Sequence, residues 1–367
     1  FYNRGDNFTA QSGIYYKNIG DIYNFYHLPS FLSPFLINNY IDTKDDIVSY
    51  AIYSQFNFKL GKNLQITAGF RLDKSDPYQI EGGFSYDTPF FTKQIGKVVR
   101  NRIEFIPRIA AIYRLSSDAI IKLLYGRAIR RPSFFQDYLQ VQTNETTLFP
   151  EKIETIELNY QHILSRNYLL SFNLFQNILD NLITRLIILD DFGNYDYSYS
   201  TNAGRMITRG VELTFSAKPS DTFFLEFSAT YQNTDDQTIG HDGIDLAYSP
   251  ELLAYLKISY DLSPKLKISM NGRYVGPMKP YWDDAPDPES VSYIPIGRIG
   301  KDVIGYLDLG LNIRLTDIIK KGVFVNLKIS NLLDSEIRYP VFTNNPYADK
   351  GTLDYGRHMM VTLGYAF

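Results

Sequence analysis

The sequence predicts an all-β chain, folded as an antiparallel up-and-down transmembrane β-barrel. Three observations predict it. Apolar residues recur at every second position through most of the chain, which is the period of a strand with one apolar face. No stretch approaches the ~18 apolar residues that a membrane helix needs, and Arg185 interrupts the best candidate, Leu182 to Leu189. Short connections alternate with long ones, as in transmembrane barrels with short periplasmic turns and long external loops.

The alternation begins clearly at Val48. Val48, Tyr50, Ile52, Ser54, Phe56, Phe58 and Leu60 lie on one face, and Ser49, Ala51, Tyr53, Gln55, Asn57 and Lys59 on the other, mostly polar one. A turn at Gly61-Lys62-Asn63 leads into Leu64, Ile66, Ala68, Phe70 and Leu72, opposed by Gln65, Thr67 and Arg71. The device recurs around Ile156, Tyr168, Val211, Leu266, Leu307 and Val323. Counted by this template there are about fourteen segments. Short turns are expected near Gly61-Lys62, Ser116-Ser117, Ser165-Arg166, Pro219-Ser220, Ser263-Pro264 and Asp317-Lys320. Between them lie long polar-aromatic loops: 20–44, 74–97, 131–150, 190–202, 234–245, 277–301 and 333–354. A soluble sandwich also alternates, but it rarely gathers its long loops at one end.

Charged residues on the less apolar face support a solvated interior. Arg71, Arg108, Glu157, Glu212, Arg273 and Arg314 could not be buried in a packed sandwich without partners, whereas a wide lumen holds water or a polar plug. They read as lumen-facing residues. The 30 Tyr and 25 Phe make the chain 15% aromatic, which suits membrane interfaces and ligand-binding loops. A net charge of −3 lacks the basic excess of a nucleic-acid binder. With no Cys, disulfides and thiolate metal sites are excluded.

At this point the chain resembles the barrel of TonB-dependent outer-membrane receptors. Tyr125 to Ser133 is similar to the family run in which a strand climbs into an external loop ending in an aromatic-Arg-Ala-Pro-like stretch, with Arg131 in place of the small residue before Pro132. Leu148-Phe149-Pro150-Glu151 resembles the family's Leu-x-Pro-Glu. Asn202-Ala203-Gly204 followed by Gly210-Val211-Glu212 resembles its Asn-x-Gly…Gly-Val-Glu, and Asn331-Leu332-Leu333-Asp334 its Asn-Leu-Phe-Asp. The last strand, with Tyr365 and a terminal Phe367, looks like the signal read by the barrel-assembly machinery.

The resemblance implies that residues 1–367 are the C-terminal part of one outer-membrane β-barrel domain of ~22 strands with a plugged lumen. A plug and roughly eight strands would lie upstream of Phe1. The first strand, near Asn7 to Lys17, and the last, Gly356 to Phe367, are then expected not to pair with each other. The implied function is active import of a scarce, bulky nutrient such as a siderophore, haem, cobalamin or a glycan. The implied partners are the TonB–ExbB–ExbD complex acting through the plug, lipid and lipopolysaccharide, and a surface lipoprotein. The alternative is a passive porin-like or structural barrel.

No nucleophile elbow, Walker loop, dinucleotide fingerprint or EF-hand pattern is present, so the chain offers no catalytic residue, metal site or cofactor. Gly82-Gly83 reads as a turn. Asp235, Asp236, His241, Asp242 and Asp245 read as a solvated external loop before a calcium site. Of the four His, only His27 and His241 fall in long loops, and His162 falls near a short turn. The best ligand-facing candidates are Tyr281, Trp282, Asp283 and Asp284, with Asp287 and Glu289 beside them, and the run Tyr195, Tyr197, Tyr199. The period of that run suggests a strand extension above the membrane.

Overall fold

The computed structural model describes residues 2–3, 7–20, 22–29, 36–86, 92–100, 102–143, 147–189, 195–238, 244–286, 293–340 and 350–366. In chain order the elements begin with β1 (Tyr2–Asn3), β2 (Phe8–Ile19), β3 (Tyr23–Pro29), β4 (Leu36–Thr43), β5 (Ile47–Leu60), β6 (Leu64–Ser75), β7 (Tyr78–Tyr86) and β8 (Thr92–Val98). They continue with β9 (Glu104–Arg114), β10 (Ala119–Arg130), α1 (Phe134–Thr143), β11 (Glu151–Ser165), β12 (Tyr168–Leu189), β13 (Tyr195–Ser220), β14 (Phe223–Asp236) and β15 (Ile244–Asp245). Then follow β16 (Leu252–Ser263), β17 (Leu266–Val275), β18 (Trp282–Pro286), β19 (Tyr293–Arg298), β20 (Tyr306–Thr316), β21 (Val323–Ser330), β22 (Arg338–Tyr339), β23 (Thr352–Leu353) and β24 (His358–Tyr365).

The main sheet runs β1-β2-β5-β6-β9-β10-β11-β12-β13-β14-β16-β17-β20-β21-β24, with β15 on β14. Of its sixteen strands, β1 and β15 have two residues each, which leaves fourteen long ones. Every neighbour pair is antiparallel, and the sheet is a partial barrel that does not close: β2 and β24 are not paired to each other among the described residues.

Register carries the alternation across the sheet. Phe8, Phe58, Ile66, Ala111, Leu123, Leu158, Leu174, Val211, Tyr231 and Leu252 pair in one unbroken row. Leu170, Phe215, Phe227, Leu256, Gly272 and Leu309 form another on the same face. The opposite face reads Lys59, Gln65, Ile112, Lys122, Asn159, Asn173, Glu212 and Thr230. On β12 the apolar band extends from Tyr168 to Leu174 and ends at Gln176, whose partner on β13 is Arg209. At ~3.4 Å per residue that is about 27 Å of strand, or about 20 Å of height at the usual ~40° tilt. Beyond the band, β12 and β13 continue together for roughly another 40 Å.

The turns lie at 61–63, 115–118, 166–167, 221–222, 264–265 and 317–322. Three sit one or two residues later than the turn residues themselves suggest. At Pro219-Ser220 the reason is a register shift after Ala217, which keeps those two residues in β13 and leaves Asp221-Thr222 as the turn.

The larger correction concerns the long loops, which are folded. Segments 20–44 and 74–97 each form a hairpin, and the two hairpins join as a four-stranded sheet, β3-β4-β7-β8. Loop 131–150 supplies α1, which packs on this sheet through Tyr138 and Val141 against Ile41, Tyr78, Ile80 and Val98. Gly82-Gly83 is not a turn but part of β7, paired with Ile41 and Tyr40. A Cβ on Gly82 would meet the Tyr138 ring at 1.9 Å, and one on Gly96 would meet Val141 at 2.3 Å. These two glycines are the socket for the helix. The helix opens with a capping box: Ser133 Oγ accepts from Gln136 N (3.3 Å) and Gln136 Oε1 accepts from Ser133 N (2.9 Å).

With the apolar rows read as the lipid face, Leu213→Arg should cost ~2–4 kcal/mol of folding free energy in a bilayer, and Thr214→Arg on the other face close to nothing. Denaturant titration of the protein refolded into lipid vesicles measures both. Equal costs would contradict the assignment of faces.

Candidate functional site

The polar face of the wall and the folded rim above it make up the candidate site. Arg71, Arg108, Glu157, Glu212, Arg273 and Arg314 all lie on the face opposite the apolar rows. Arg71 donates to Asp73 Oδ2 (2.6 Å) and lies over the Tyr15 ring. Arg108 donates to Gln55 Oε1 (2.5 Å), and Glu212 accepts from Asn173 Nδ2 (3.2 Å). Arg273 faces Asp308 (3.4 Å), and Arg314 lies 4.3 Å from the Phe324 ring centre. On the same face, buried acceptors on Asn159 and Asn173 (Oδ1 of each) have no partner among the described residues.

At the outer strand ends the sequence motifs meet in space. Asn202 Oδ1 accepts from Phe149 N (2.7 Å), while Asn202 Nδ2 donates to Phe149 O (3.0 Å) and Asn181 O (2.7 Å). One amide side chain thus ties three segments together. Glu151, at the start of β11, accepts from Ile183 N (2.9 Å) and from Arg130. Burial alone would raise the Glu151 pKa, but the Arg130 hydrogen bond, the Ile183 N–H and the Arg130 charge outweigh it and hold the carboxyl below its ordinary value.

A second buried network fixes α1. Tyr78 Oη donates to Asp137 Oδ2 (2.5 Å), and Arg100 donates to the same oxygen. Asp137 is 2% exposed. Burial pushes its carboxyl up, and the Arg100 guanidinium opposes that shift. Burial and then the Asp137 charge push the Tyr78 phenol up as well. Gln140 Oε1 accepts from Ser200 N (3.1 Å), so α1 also touches β13 just below the Tyr run.

The ligand-facing candidates are distributed over two structures beyond the apolar band. Tyr195, Tyr197 and Tyr199 lie on β13 at the far end of the β12–β13 hairpin, paired with Leu189, Ile188 and Leu186. Trp282, Asp283 and Asp284 open β18, which pairs with β19. Tyr281 is exposed, and its ring stacks on Tyr248 (6.1 Å, 14°). Asp287, Glu289, His241, Asp242 and Phe367 lie outside the described residues. Asp235 accepts from Gln237 Nε2 (2.7 Å) and Asp236 from Thr238 N (3.0 Å). Among the described residues no acidic or His cluster has metal-binding geometry. His162 sits within β11, where its Nδ1 bonds Tyr160 Oη (2.9 Å). Tyr365 is in β24 opposite Val323, with Lys320 over its ring (5.2 Å).

A family model described as TonB dependent receptor-like, beta-barrel matches residues 1–332. The chain belongs to this family. It is therefore a bacterial outer-membrane β-barrel. Among solved structures, the ferric yersiniabactin uptake receptor FyuA from Yersinia pestis aligns over 100% of this chain and 52% of its own, at 14% identity and TM-score 0.71. The closed form of the ferric-catecholate import receptor Fiu from E. coli K12 aligns over 98% and 52%, at 16% and 0.64. The siderophore receptor PiuA from Acinetobacter baumannii aligns over 90% and 44%, at 15% and 0.62. At these identities the likeness is one of fold, and the chain spans about half the length of these receptors. No curated protein sequence matches it.

The clasp around Glu151 gives the receptor barrel a defined pH dependence. Its carboxyl is depressed in the folded state, so its contribution is present above the ordinary carboxylate pKa and is lost as pH falls through the lowered value. Hydrogen-exchange protection at Ile183 should stay constant near neutral pH and fall in acid. Glu151→Gln should lower it at neutral pH and remove the acid step. A Glu151→Gln profile that still follows wild type would refute the clasp. Independently, Gly82→Leu should expel Tyr138 and make the α1 segment sensitive to protease while the barrel stays folded.

Proposed function

We propose that the chain forms the wall and outer mouth of an energy-coupled importer that carries a scarce, bulky nutrient across the outer membrane. One observation carries the reading: a continuous charged and amide-rich face opposes the lipid rows across the long strands. Side chains alone do not fill a lumen of this family's width. The unmet acceptors on Asn159 and Asn173, next to Glu157 and Glu212, are where a plug with donor groups would pack. A plug that must be moved needs work from the inner membrane, hence the TonB–ExbB–ExbD complex as partner. The similar structures include receptors named for ferric chelates, which favours an iron chelate over haem, cobalamin or a glycan. The barrel-assembly machinery, lipopolysaccharide and a surface lipoprotein complete the proposed partners. The function is binding and transport rather than catalysis.

The ligand-facing mouth in this reading is Tyr195, Tyr197, Tyr199, Tyr281, Trp282, Asp283 and Asp284, on the external hairpins. Labelling of whole cells should therefore reach 277–301 and spare Ser263-Pro264. In iron-restricted medium, loss of the receptor should abolish uptake of its chelate. Collapse of the proton-motive force should do the same, and Tyr281→Ala with Trp282→Ala should lower chelate affinity about tenfold or more. Uptake that continues at the same rate without a proton-motive force would instead identify a passive channel.

A further inference from the structure

We propose that the turn between β20 and β21, residues 317–322, is a membrane anchor. Ile318 and Ile319 enter the inner-leaflet boundary of the bilayer, and Lys320 and Lys321 bind the headgroups of anionic phospholipid. Of the short turns, five are polar at the tip: Gly61-Lys62-Asn63, Ser116-Ser117, Arg166-Asn167, Asp221-Thr222 and Pro264-Lys265. The turn at 317–322 is the longest and carries two adjacent Ile, 46% and 89% exposed. Turns favour Gly, Pro, Asn, Asp and Ser, so a pair of exposed β-branched residues serves something other than the turn itself.

Their exposure is built in. Asp317 (φ 54°) and Gly322 (φ 90°) close the turn in left-handed conformations. Asp317 Oδ1 accepts from Gly322 N (2.6 Å), Val323 N donates to Lys320 O (3.1 Å), and Ala366 N donates to Gly322 O (2.8 Å). A Cβ on Gly322 would meet Ala366 O at 2.2 Å, so this corner sits hard against the end of β24.

Continuity and charge select the partner. Leu266, Leu315, Val325 and Leu363 pair in one row on the apolar face, and the turn begins two residues after Leu315. On β20 the apolar run from Leu307 to Leu315 is about 27 Å of strand, or about 20 Å of height at ~40° tilt, whereas a barrel's apolar band is ~25 Å tall. Ile318 and Ile319 lie just past its end, where the remaining height is needed. Lys320 and Lys321 are both exposed. Lys320 Nζ lies 5.2 Å from the Tyr365 ring centre, and Lys321 has no partner among the described residues. The single acid of the turn, Asp317, is engaged by Gly322 N, and its carbonyl accepts from Lys265 Nζ (3.2 Å). An apolar tip flanked by ammonium groups fits the boundary between hydrocarbon and anionic headgroups. A soluble partner would answer the charge and leave the height unexplained.

The anchor is independent of what the receptor imports. The test uses the full-length receptor in phospholipid vesicles with the fluorophore NBD on Ile319→Cys. Residues 1–367 contain no Cys, and wild type treated alike gives the background. Lipid carrying a nitroxide at the headgroup or high in the acyl chain is the quencher. With phosphatidylglycerol present, the label should be quenched as strongly as one on Leu363→Cys in the wall. A label on Ile95→Cys, exposed on the folded rim, should not be quenched. In phosphatidylcholine alone quenching at 319 should fall, and Lys320→Gln with Lys321→Gln should remove the difference between the lipids, about fivefold per Lys in the ratio of seated to unseated turn. A label at 319 quenched no more than one at Ile95 would put the turn in water, open to a periplasmic protein, and overturn the anchor. Equal quenching in both lipids, or a difference that survives the double substitution, would overturn it too.

Discussion

Inside a bilayer no water is available to a backbone N–H or C=O, so every one must be paired by the protein. The long strands between the edge strands β2 and β24 meet this demand by pairing on both sides, and the places where pairing slips show how strictly it is met. Register shifts fall at 163/165, 217/220 and 261/263, next to the short turns, and at 179/182, 182/184 and 188/189, on the outer extension of β12 and β13. None lies within the apolar band. A bulge leaves a residue unpaired, which water at the rim tolerates and lipid does not.

That constraint also fixes the faces. With the ladder unbroken, side chains alternate without exception through the band, and one face is committed to lipid. The band ends sharply at the outer side. There the lipid-side positions become Arg127 with Glu154 (2.5 Å), Arg209 with Gln176 (2.7 Å) and Arg205 with Asp180 (3.2 Å). Such pairs belong at the headgroup level. Strand beyond them is in water, where it is free to build binding structure. The overrun of β12 and β13 is therefore a platform raised beyond the membrane wall.

The wall was legible because period two is a local property, readable from any ten residues such as Leu64 to Asp73. The folded rim was not, because its partners come from different loops. Nothing between Tyr23 and Thr43 shows that β4 pairs with β7 rather than ending in solvent. Gly82 looks like a turn residue in sequence, and only the helix packed on Gly82 and Gly96 reveals the socket. One signal was available and unused: Ser133 and Gln136 have capping-box spacing, and they mark a helix inside a segment expected to be irregular. Among the site residues, the charged side chains of the wall follow from alternation. Arg100 has no local mark at all, since its role depends on Asp137, which is far from it in sequence. The family-like motifs had visible letters but no visible reason until Asn202 was found holding Phe149 and Asn181.

The rim is a set of linked contacts rather than independent loops, which bears on how it could respond to a ligand. Asp137 accepts from both Arg100 and Tyr78, so the same carboxylate orients the Arg100 guanidinium and holds α1 on its sheet. One turn further along, Gln140 of α1 accepts from Ser200 on β13, beside Tyr199. Whatever moves α1 therefore moves Asp137 and with it Arg100, and through Gln140 it reaches the hairpin that carries Tyr195, Tyr197 and Tyr199. A ligand shifts such an equilibrium only by as much as its affinity differs between the two states.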